Sequence, residues 1–589
     1  MNGVLAGALP AVPLLVALVG LLLPLRARRT AAALGIAGAA VALADAVALA
    51  ARVKSPTTGG WRLVDFGGGL VVHVSYLLTP AAAVVAVAVG TVALAVQVYS
   101  VSYLHDDGRY PPYAAQVSLF TAAMLLVVVS GDLILLLVGW EVMGICSYLL
   151  IGHDRTLPEA PAAAVKAFVV TRLGDVGFLL GIALLALAGH SFDVATAGAR
   201  PATIPALLLL AGVAGKSAQF PLHTWLPDAM AGPTPISALI HAATMVAAGV
   251  YVVARLYGVF TPVALAVLGV IAAVTMLLGA LAATAQLDIK RVLAWSTVSQ
   301  VAYMAGGLAV GVPAAALFHL LTHAAFKALL FLAAGAVIHA VGSNLMTRMG
   351  GLRAAMPVTF WSMTIGLGAL AGLPPLSGFF SKDQILAGAW DAVRHAGPAP
   401  RWVAVVVLLA GLATVAVTGW YATRLWLRVF FGPSLGAAHD PPALMGWPII
   451  LLSVPSALLG LVVQFAGTFP GLDWLSIGAL LLAVAGGAGA WRLWRRGADA
   501  VPAVLANAFY LDDVQDALVV RPTLALASAV RRADESLVDG AVEGTGGGAL
   551  GLGALVARWH RAALPRAATA VLGGALLIGI AAIVLVGLR

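Results

Sequence analysis

Apolar runs of about twenty residues, separated by short polar punctuation, fill most of this chain. They lie near 5–25, 31–50, 80–103, 114–130, 132–151, 163–188, 203–228, 236–258, 263–285, 292–311, 313–339, 357–390, 402–430, 446–466, 473–494 and 567–588. The runs are continuous rather than alternating, so they predict membrane-spanning helices and not barrel strands. The expected fold is an all-α polytopic membrane protein with about 16 transmembrane helices. The run from Leu5 to Leu25 is long enough to span and is followed by more spans, so it reads as the first helix rather than a secretory signal. Two runs, 203–228 and 357–390, are too long and too interrupted to be single straight helices.

Residues 497–566 break the rhythm. "NAFYLDDVQDALVVRP" is polar and acidic, and "LALASAVRRADESLVDGAVEG" is amphipathic at helical spacing. This predicts a lateral surface helix ahead of a last anchor. Gly546, Gly547, Gly548, Gly551 and Gly553 argue against one continuous rod, since each interior glycine costs up to about 1 kcal/mol. The expected organisation is 1–113 (first helices and an outer loop), 114–260 and 261–430 (two related halves), 431–496 (further spans), 497–566 (the lateral segment) and 567–589 (the anchor).

Composition agrees and narrows the chemistry. The chain is 62% hydrophobic and 10% charged over 589 residues, which excludes a soluble globular protein. The net charge of +9 comes from basic residues scattered between apolar runs, which does not suggest nucleic acid. Arg28, Arg109, Arg155, Lys290, Arg291, Arg348, Arg424 and Arg495 collect on one side, with about half as many on the other, among them Arg52, Arg200, Arg255 and Arg394. The positive-inside rule then puts both termini outside the cytoplasm and the lateral segment on the cytoplasmic side. The single cysteine, Cys146, forms no internal disulfide and no cluster for iron–sulfur or zinc. "GGGALG" lacks the strand and βαβ context of a dinucleotide fingerprint. These features predict a chain that holds no cofactor and no metal, and carries no electrons.

Ionisable residues inside spans are costly and usually functional. They are Glu141, Lys166, Arg172, Asp175, Lys216, His241, His319, His323, Lys327, Lys382 and Asp383. Lys216 is the sharpest, in an apolar run just before Pro221, which removes a backbone donor and unwinds the helix. A lysine held between desolvation and a carboxylate can take and release a proton. Glu141 is the expected carboxylate, with a static ion pair as the alternative. "GLPPLSGFFSKDQ" (372–384) repeats the device with Lys382, and paired Gly/Pro-interrupted spans are the mark of inverted-repeat transporters. His319, His323 and Lys327 lie at i, i+4 and i+8, which stacks them on one helix face. A proton relay, plain interhelical hydrogen bonding and a metal site are the readings open to them, and HxxxH alone is weak for metal. His241 is placed to bridge Lys216 and this face. Arg172 and Asp175, at i and i+3, are placed to pair with each other, in a structural or a modulatory role, and Lys166 is expected to snorkel toward the cytoplasm.

Six stretches carry a family resemblance: "GDLILLLVGWEVMGICSYLLIG", "KAFVVTRLGDVGF", "GKSAQFPLHTWLPDAMAGPTPISALIHAATMVAAGVYVVARL", "DIKRVLAWSTVSQVAYM", "HLLTHAAFKALLF" and "GLPPLSGFFSKD". They resemble the antiporter-like subunits of respiratory complex I, the proton-pumping NADH:quinone oxidoreductase, and among them the largest, because "FYLDDVQDALVVRP" is similar to the lead into its lateral helix. The resemblance covers most of residues 60–430. It implies Glu141 and Lys216 as a paired carboxylate and central lysine, with Asp175 near them. It further implies His241, His319, His323 and Lys327 as the relay, and Lys382 with Asp383 at its end. It implies a translocase with FMN, iron–sulfur clusters, NADH and quinone in other chains of the complex. The partners implied are sister antiporter-like subunits M and N and small membrane subunits, in a bacterial inner membrane. "VARWHRAALPRAATAVL" departs from the family pattern before the last span. A multi-subunit cation/proton antiporter shares this core and is the competing function, and a passive scaffold of the membrane arm is a third reading.

Overall fold

The computed structural model describes residues 2–67, 70–434, 436, 438–465, 473–497, 501–560 and 564–588. It consists of two compact units, Met1–Phe509 and the stretch from Tyr510 onward. The first unit opens with α1 (Asn2–Leu21) and α2 (Arg28–Arg52), then the hairpin β1 (Thr57–Asp65) and β2 (Val71–Leu78). The strands pair antiparallel, with a register irregularity between Arg62 and Val64. The apolar-run pattern predicts only an outer loop here. Its runs "TTGGWRLVD" and "VVHVSYLL" are rich in β-branched and aromatic residues, and pairing satisfies their backbone groups.

Next come α3 (Pro80–Tyr103), α4 (Tyr110–Val129), α5 (Leu133–Ile151), α6 (Ala160–Gly189), the short α7 (Val194–Gly198) and α8 (Thr203–Lys216). Caps set their starts. Thr79 accepts from the Ala82 amide at 3.0 Å, and Asp132 from Ile134 at 2.8 Å. Asp132 also accepts from the His73 amide at 2.9 Å, so one carboxylate starts α5 and anchors β2.

Chain breaks dominate the middle. After α8 the backbone turns through Ala218 at φ 49°, passes Pro221, and resumes as α9 (Trp225–Asp228) and a 3-10 turn, Ala229–Ala231. α10 (Thr234–Ala242) and α11 (Met245–Arg255) are split at Ala243 and Thr244, the latter at φ −122°, ψ −109°. α12 (Pro262–Ala285), α13 (Ile289–Ala309) and α14 (Pro313–Val341) follow. α15 (Pro357–Ala371) ends at Gly372 with φ +79°, a left-handed cap suited to glycine, and α16 (Ser377–Arg394) starts after the two prolines. α17 (Arg401–Phe430), α18 (Ala443–Phe465), α19 (Trp474–Arg495) and α20 (Ala503–Ala506) complete the unit.

Among the described residues, 13 helices are long and apolar enough to cross a membrane, counting Thr234–Arg255 as one, and α8 and α15 are shorter apolar helices. The difference from the expected count has a local cause. α8 and α15 are the shortened halves of the broken runs, and α13 carries Lys290, Arg291 and a Ser/Thr/Gln face. Both anticipated breaks are present. The core lies around α10, α11, α13 and α14, whose inward faces are buried throughout.

The second unit is helical through α21 (Leu511–Gln515), α22 (Arg521–Ala533) and α23 (Gly540–His560), joined by π-type turns at Asp516–Val520 and Asp534–Asp539, with α24 (Leu564–Gly587) beyond. α23 runs unbroken through Gly546, Gly547 and Gly548, where glycine was expected to interrupt it. The i→i−4 ladder needs no Cβ, and the glycine cost is spread over 21 helical residues.

Candidate functional site

Lys216 is the last residue of α8, so its ammonium stands where the helix stops. Its nearest counter-charge is Asp175 on α6, Nζ to Oδ2 3.2 Å, and both residues are buried. α6 comes this close because Gly174 faces α8: a Cβ there would lie 2.5 Å from the Ala211 carbonyl oxygen. The Trp140 indole N–H donates to Asp175 Oδ1 at 2.6 Å, and its ring stacks on Phe178 at 4.2 Å, which fixes the carboxylate's rotamer. The ammonium also lies 5.7 Å from the Trp140 ring centre, within cation–π range.

Glu141 is therefore not the direct partner of Lys216. It pairs with Arg172, which also lies 3.7 Å from Asp175 Oδ2 and donates to the Glu141 carbonyl at 3.3 Å. The reason is rotational. Adjacent residues on a helix point about 100° apart, and α5 turns Trp140 into the core, leaving Glu141 on the flank. Glu141 and Arg172 side chains are 28% and 27% exposed, against 4% for Asp175. The four groups form an alternating row, Lys216–Asp175–Arg172–Glu141, running from the core to the rim. The expected Arg172–Asp175 contact is present, as one link of that row.

The remaining predicted residues form a second group along α14. His319, His323 and Lys327 share one face and are fully buried. The His319 and His323 rings are 6.2 Å apart, and His319 Nδ1 is 2.8 Å from Ser381 Oγ, which is also 2.8 Å from Thr322 Oγ1. His323 lies beside the Ala242 backbone, at the α10–α11 break, and neither of its ring nitrogens has a hydrogen-bond partner among the described residues. His241 closes α10, lies 4.7 Å from Phe331, and has no hydrogen-bond partner on either ring nitrogen among the described residues. Lys327 donates to Ser296 Oγ and, at 3.1 Å, to the Leu293 carbonyl. Lys382 donates back across the second break to the Leu370 carbonyl at 2.5 Å. Neither Lys327 nor Lys382 has a carboxylate in ion-pair range among the described residues. Asp383 is turned away, toward the Ser476 hydroxyl near the start of α19.

Sequence reasoning passed over several groups. Lys166 does not simply snorkel; it pairs with Asp228 at 2.6 Å, and Arg291 binds the same carboxylate at 2.5 Å. Lys290 is buried and donates to the Met230 and Gly232 carbonyls at 2.6 and 2.7 Å. Ser296 was invisible as a partner because a serine in a helix carries no signal of its own. Among the described residues no group of three or more His, Cys, Asp or Glu is placed to hold a metal ion. Buried hydroxyls, imidazoles and amines within reach of one another hold and pass protons, and that is the chemistry this arrangement supports.

Comparison with known proteins agrees with the fold and the motifs. Residues 130–410 match the family described as NADH:quinone oxidoreductase/Mrp antiporter, TM, and residues 64–114 match NADH-ubiquinone oxidoreductase (complex I), chain 5 N-terminus. The chain is 42% identical over 494 residues to NADH-quinone oxidoreductase subunit L of Mycobacterium tuberculosis, covering 76% of each chain. It is 37% identical over 580 residues to NAD(P)H-quinone oxidoreductase chain 5 of a Synechocystis species, covering 81% of this chain and 83% of that one. A solved chain of the Mrp complex from a Dietzia species superposes with a TM-score of 0.70 at 29% identity, over all of this chain and 63% of the other. A chain of the archaeal membrane-bound sulfane sulfur reductase shares the fold at a TM-score of 0.69 and 24% identity, covering 82% of this chain and 99% of that one.

Proposed function

This chain belongs to the NADH:quinone oxidoreductase/Mrp antiporter transmembrane family, and on that premise we propose that it is a proton-translocating membrane-arm subunit of an NADH:quinone oxidoreductase. The observation that carries the reading is the buried Lys216–Asp175 pair at a broken helix, linked through Arg172 to Glu141 at the rim. Arg172 is within reach of both carboxylates. A change of charge at Glu141 moves Arg172 toward or away from Asp175, and so alters how much of that carboxylate is left to hold the Lys216 proton. A proton released from Lys216 finds His241, Lys327, His323 and His319 as successive acceptors, with Lys382 at the far break and Asp383 beyond it.

The driving reaction belongs to other chains, which would hold FMN and iron–sulfur clusters and react with NADH and quinone. This chain's own residues bind, hold and move protons only. Its partners in this reading are sister antiporter-like subunits M and N and small membrane subunits, in a bacterial inner membrane. A second reading, an Mrp-type cation/proton antiporter subunit, is favoured by the Mrp superposition over the whole chain. Purification of the tagged chain in gentle detergent separates the two. Co-purifying flavin and iron–sulfur subunits with NADH-driven quinone reduction support the first; small membrane partners with cation-stimulated transport and no redox activity support the second. Within the first, Lys216→Ala is expected to leave the complex assembled and to stop most proton pumping. Normal pumping in that variant would sink the relay.

A further inference from the structure

We infer that the polar cavity on the Lys290 side of the membrane core is this chain's proton inlet and that Lys290 is its inner gate; this rests on the proton-transfer reading above. The cavity has a volume of about 1140 Å³, and Asp106, Asp154, Lys166, Asp228, Lys290 and Arg291 are among its lining residues. Charged walls at this density hold water rather than lipid or an apolar ligand. Arg109, Arg155, Lys290 and Arg291, all on the cavity wall, belong to the basic side of the chain, so the cavity opens toward the side from which protons are drawn.

Lys290 lines the cavity but turns its charge inward. Asp288 caps the start of α13, accepting from the Lys290 amide at 2.7 Å, and the side chain then runs into the protein, leaving the residue 4% exposed. Its Nζ donates to the Met230 and Gly232 carbonyls, in the turn that leads into α10. His241 stands at the other end of α10, about 12 Å away along a nine-residue helix. His241 also packs against Phe331, one turn beyond Lys327 on α14, so this imidazole lies between the inlet and the relay.

The two carbonyl bonds suit a proton carrier. An ammonium has three N–H donors, and two are committed here. When the third proton leaves, the neutral amine keeps two N–H groups, so both bonds and the turn are preserved. The transfer balances simply. Lys290 gives one proton by way of water to a ring nitrogen of His241, which becomes imidazolium; the amine then takes a proton from cavity water and returns to ammonium.

Lys290→Arg in the whole complex tests this. Arginine can donate to both carbonyls but does not release a proton in proteins. A lysine that only ties the turn predicts wild-type pumping. A gate predicts an assembled complex whose NADH-driven pumping falls at least about tenfold, equivalent to about 1.4 kcal/mol. Pumping at the wild-type rate overturns the proposal. Because an arginine variant can fail to assemble, a second measurement stands beside it. Asn344, on the cavity wall, is changed to cysteine, and a bulky maleimide is attached after assembly, with the wild-type complex treated alike. Slowed pumping supports the inlet; unchanged pumping, or a position closed to the reagent, overturns it. Lys216→Ala in the same membranes keeps the two claims apart. If it pumps normally, the proton-transfer reading fails; if it is dead while Lys290→Arg pumps, the inlet alone fails.

Discussion

Lys216 and the lysines of the second half are built differently, although each stands beside a broken helix or on the helix that packs against one. Lys216 ends α8 and faces a carboxylate at 3.2 Å. Lys382 lies in the second turn of α16 and reaches back to the Leu370 carbonyl, and Lys327 uses the Leu293 carbonyl and a serine hydroxyl. A carboxylate can be neutralised, or drawn off by Arg172. A backbone carbonyl can be neither. The first half therefore has an element whose charge state can be switched, whereas the second offers fixed dipoles past which a proton moves. In this scheme the first pair decides when a proton is released, and the second group decides only where it goes.

The comparison breaks most visibly at the pair itself. Removing one partner of a buried ion pair leaves an uncompensated charge and typically costs about 3–5 kcal/mol. Asp175→Asn is therefore expected to match Lys216→Ala, with pumping down more than about tenfold while the complex still assembles. Reconstituted vesicles with a pH-sensitive dye give the rate. Wild-type pumping in Asp175→Asn, alongside a dead Lys216→Ala, would show that the lysine's working partner lies elsewhere.

In the second half the equivalent change is milder. Ser296→Ala removes one neutral acceptor from Lys327 and leaves the Leu293 carbonyl. One hydrogen bond to a charged group is worth about 1.5–3 kcal/mol, part of which the remaining carbonyl and water recover. We expect a loss of about three- to tenfold, smaller than for Asp175→Asn in the same assay. An equal or larger effect would mean that the second half also depends on a single partner. Glu141→Gln comes next. It removes the rim charge but leaves Asp175 with Lys216, so about a two- to fivefold fall is expected. If it abolishes pumping as completely as Lys216→Ala, Glu141 acts on the lysine directly and the row of four charges is not a relay of influence.

The sequence showed the parts of this site more clearly than their pairing. The two proline-marked breaks, the stacking of His319, His323 and Lys327, and the buried lysines were all legible, because Pro221, the Gly372–Pro375 cluster and i, i+4 spacing each act locally. The break after His241 was not, since "HAATM" contains neither glycine nor proline to mark the distortion at Thr244. The choice of Asp175 over Glu141 depends on how α5 is rotated, and in an apolar helix with almost no amphipathic bias the sequence leaves that angle open. Lys290 read as an ordinary basic residue at a span end. Only the path of the chain through Met230 and Gly232 supplies the carbonyls that turn it inward.

Gly144 offers the finest test of what separates the halves. A Cβ at this position of α5 would lie 2.5 Å from Lys216 Nζ, closer than two such atoms can stand, and 3.6 Å from Arg172 Nη2. Gly144 therefore makes room on α5 for the ammonium that faces Asp175, without touching the pair's chemistry. Gly144→Ala should not endanger the fold, because the atom it displaces is the free end of a long, flexible side chain. What it disturbs is the 3.2 Å separation from Asp175. A shift of a few tenths of an ångström in a buried pair is worth about 0.5 kcal/mol, or about a twofold change in rate. We expect pumping to fall by about that factor at unchanged subunit content, and Gly144→Ala to add nothing further in an Asp175→Asn background, where there is no pair left to disturb. Full additivity of the two changes would place the alanine's effect outside the pair. The lysine of the first half would then tolerate displacement as well as those of the second, and the distinction between a switched and a fixed partner would lose its geometric basis.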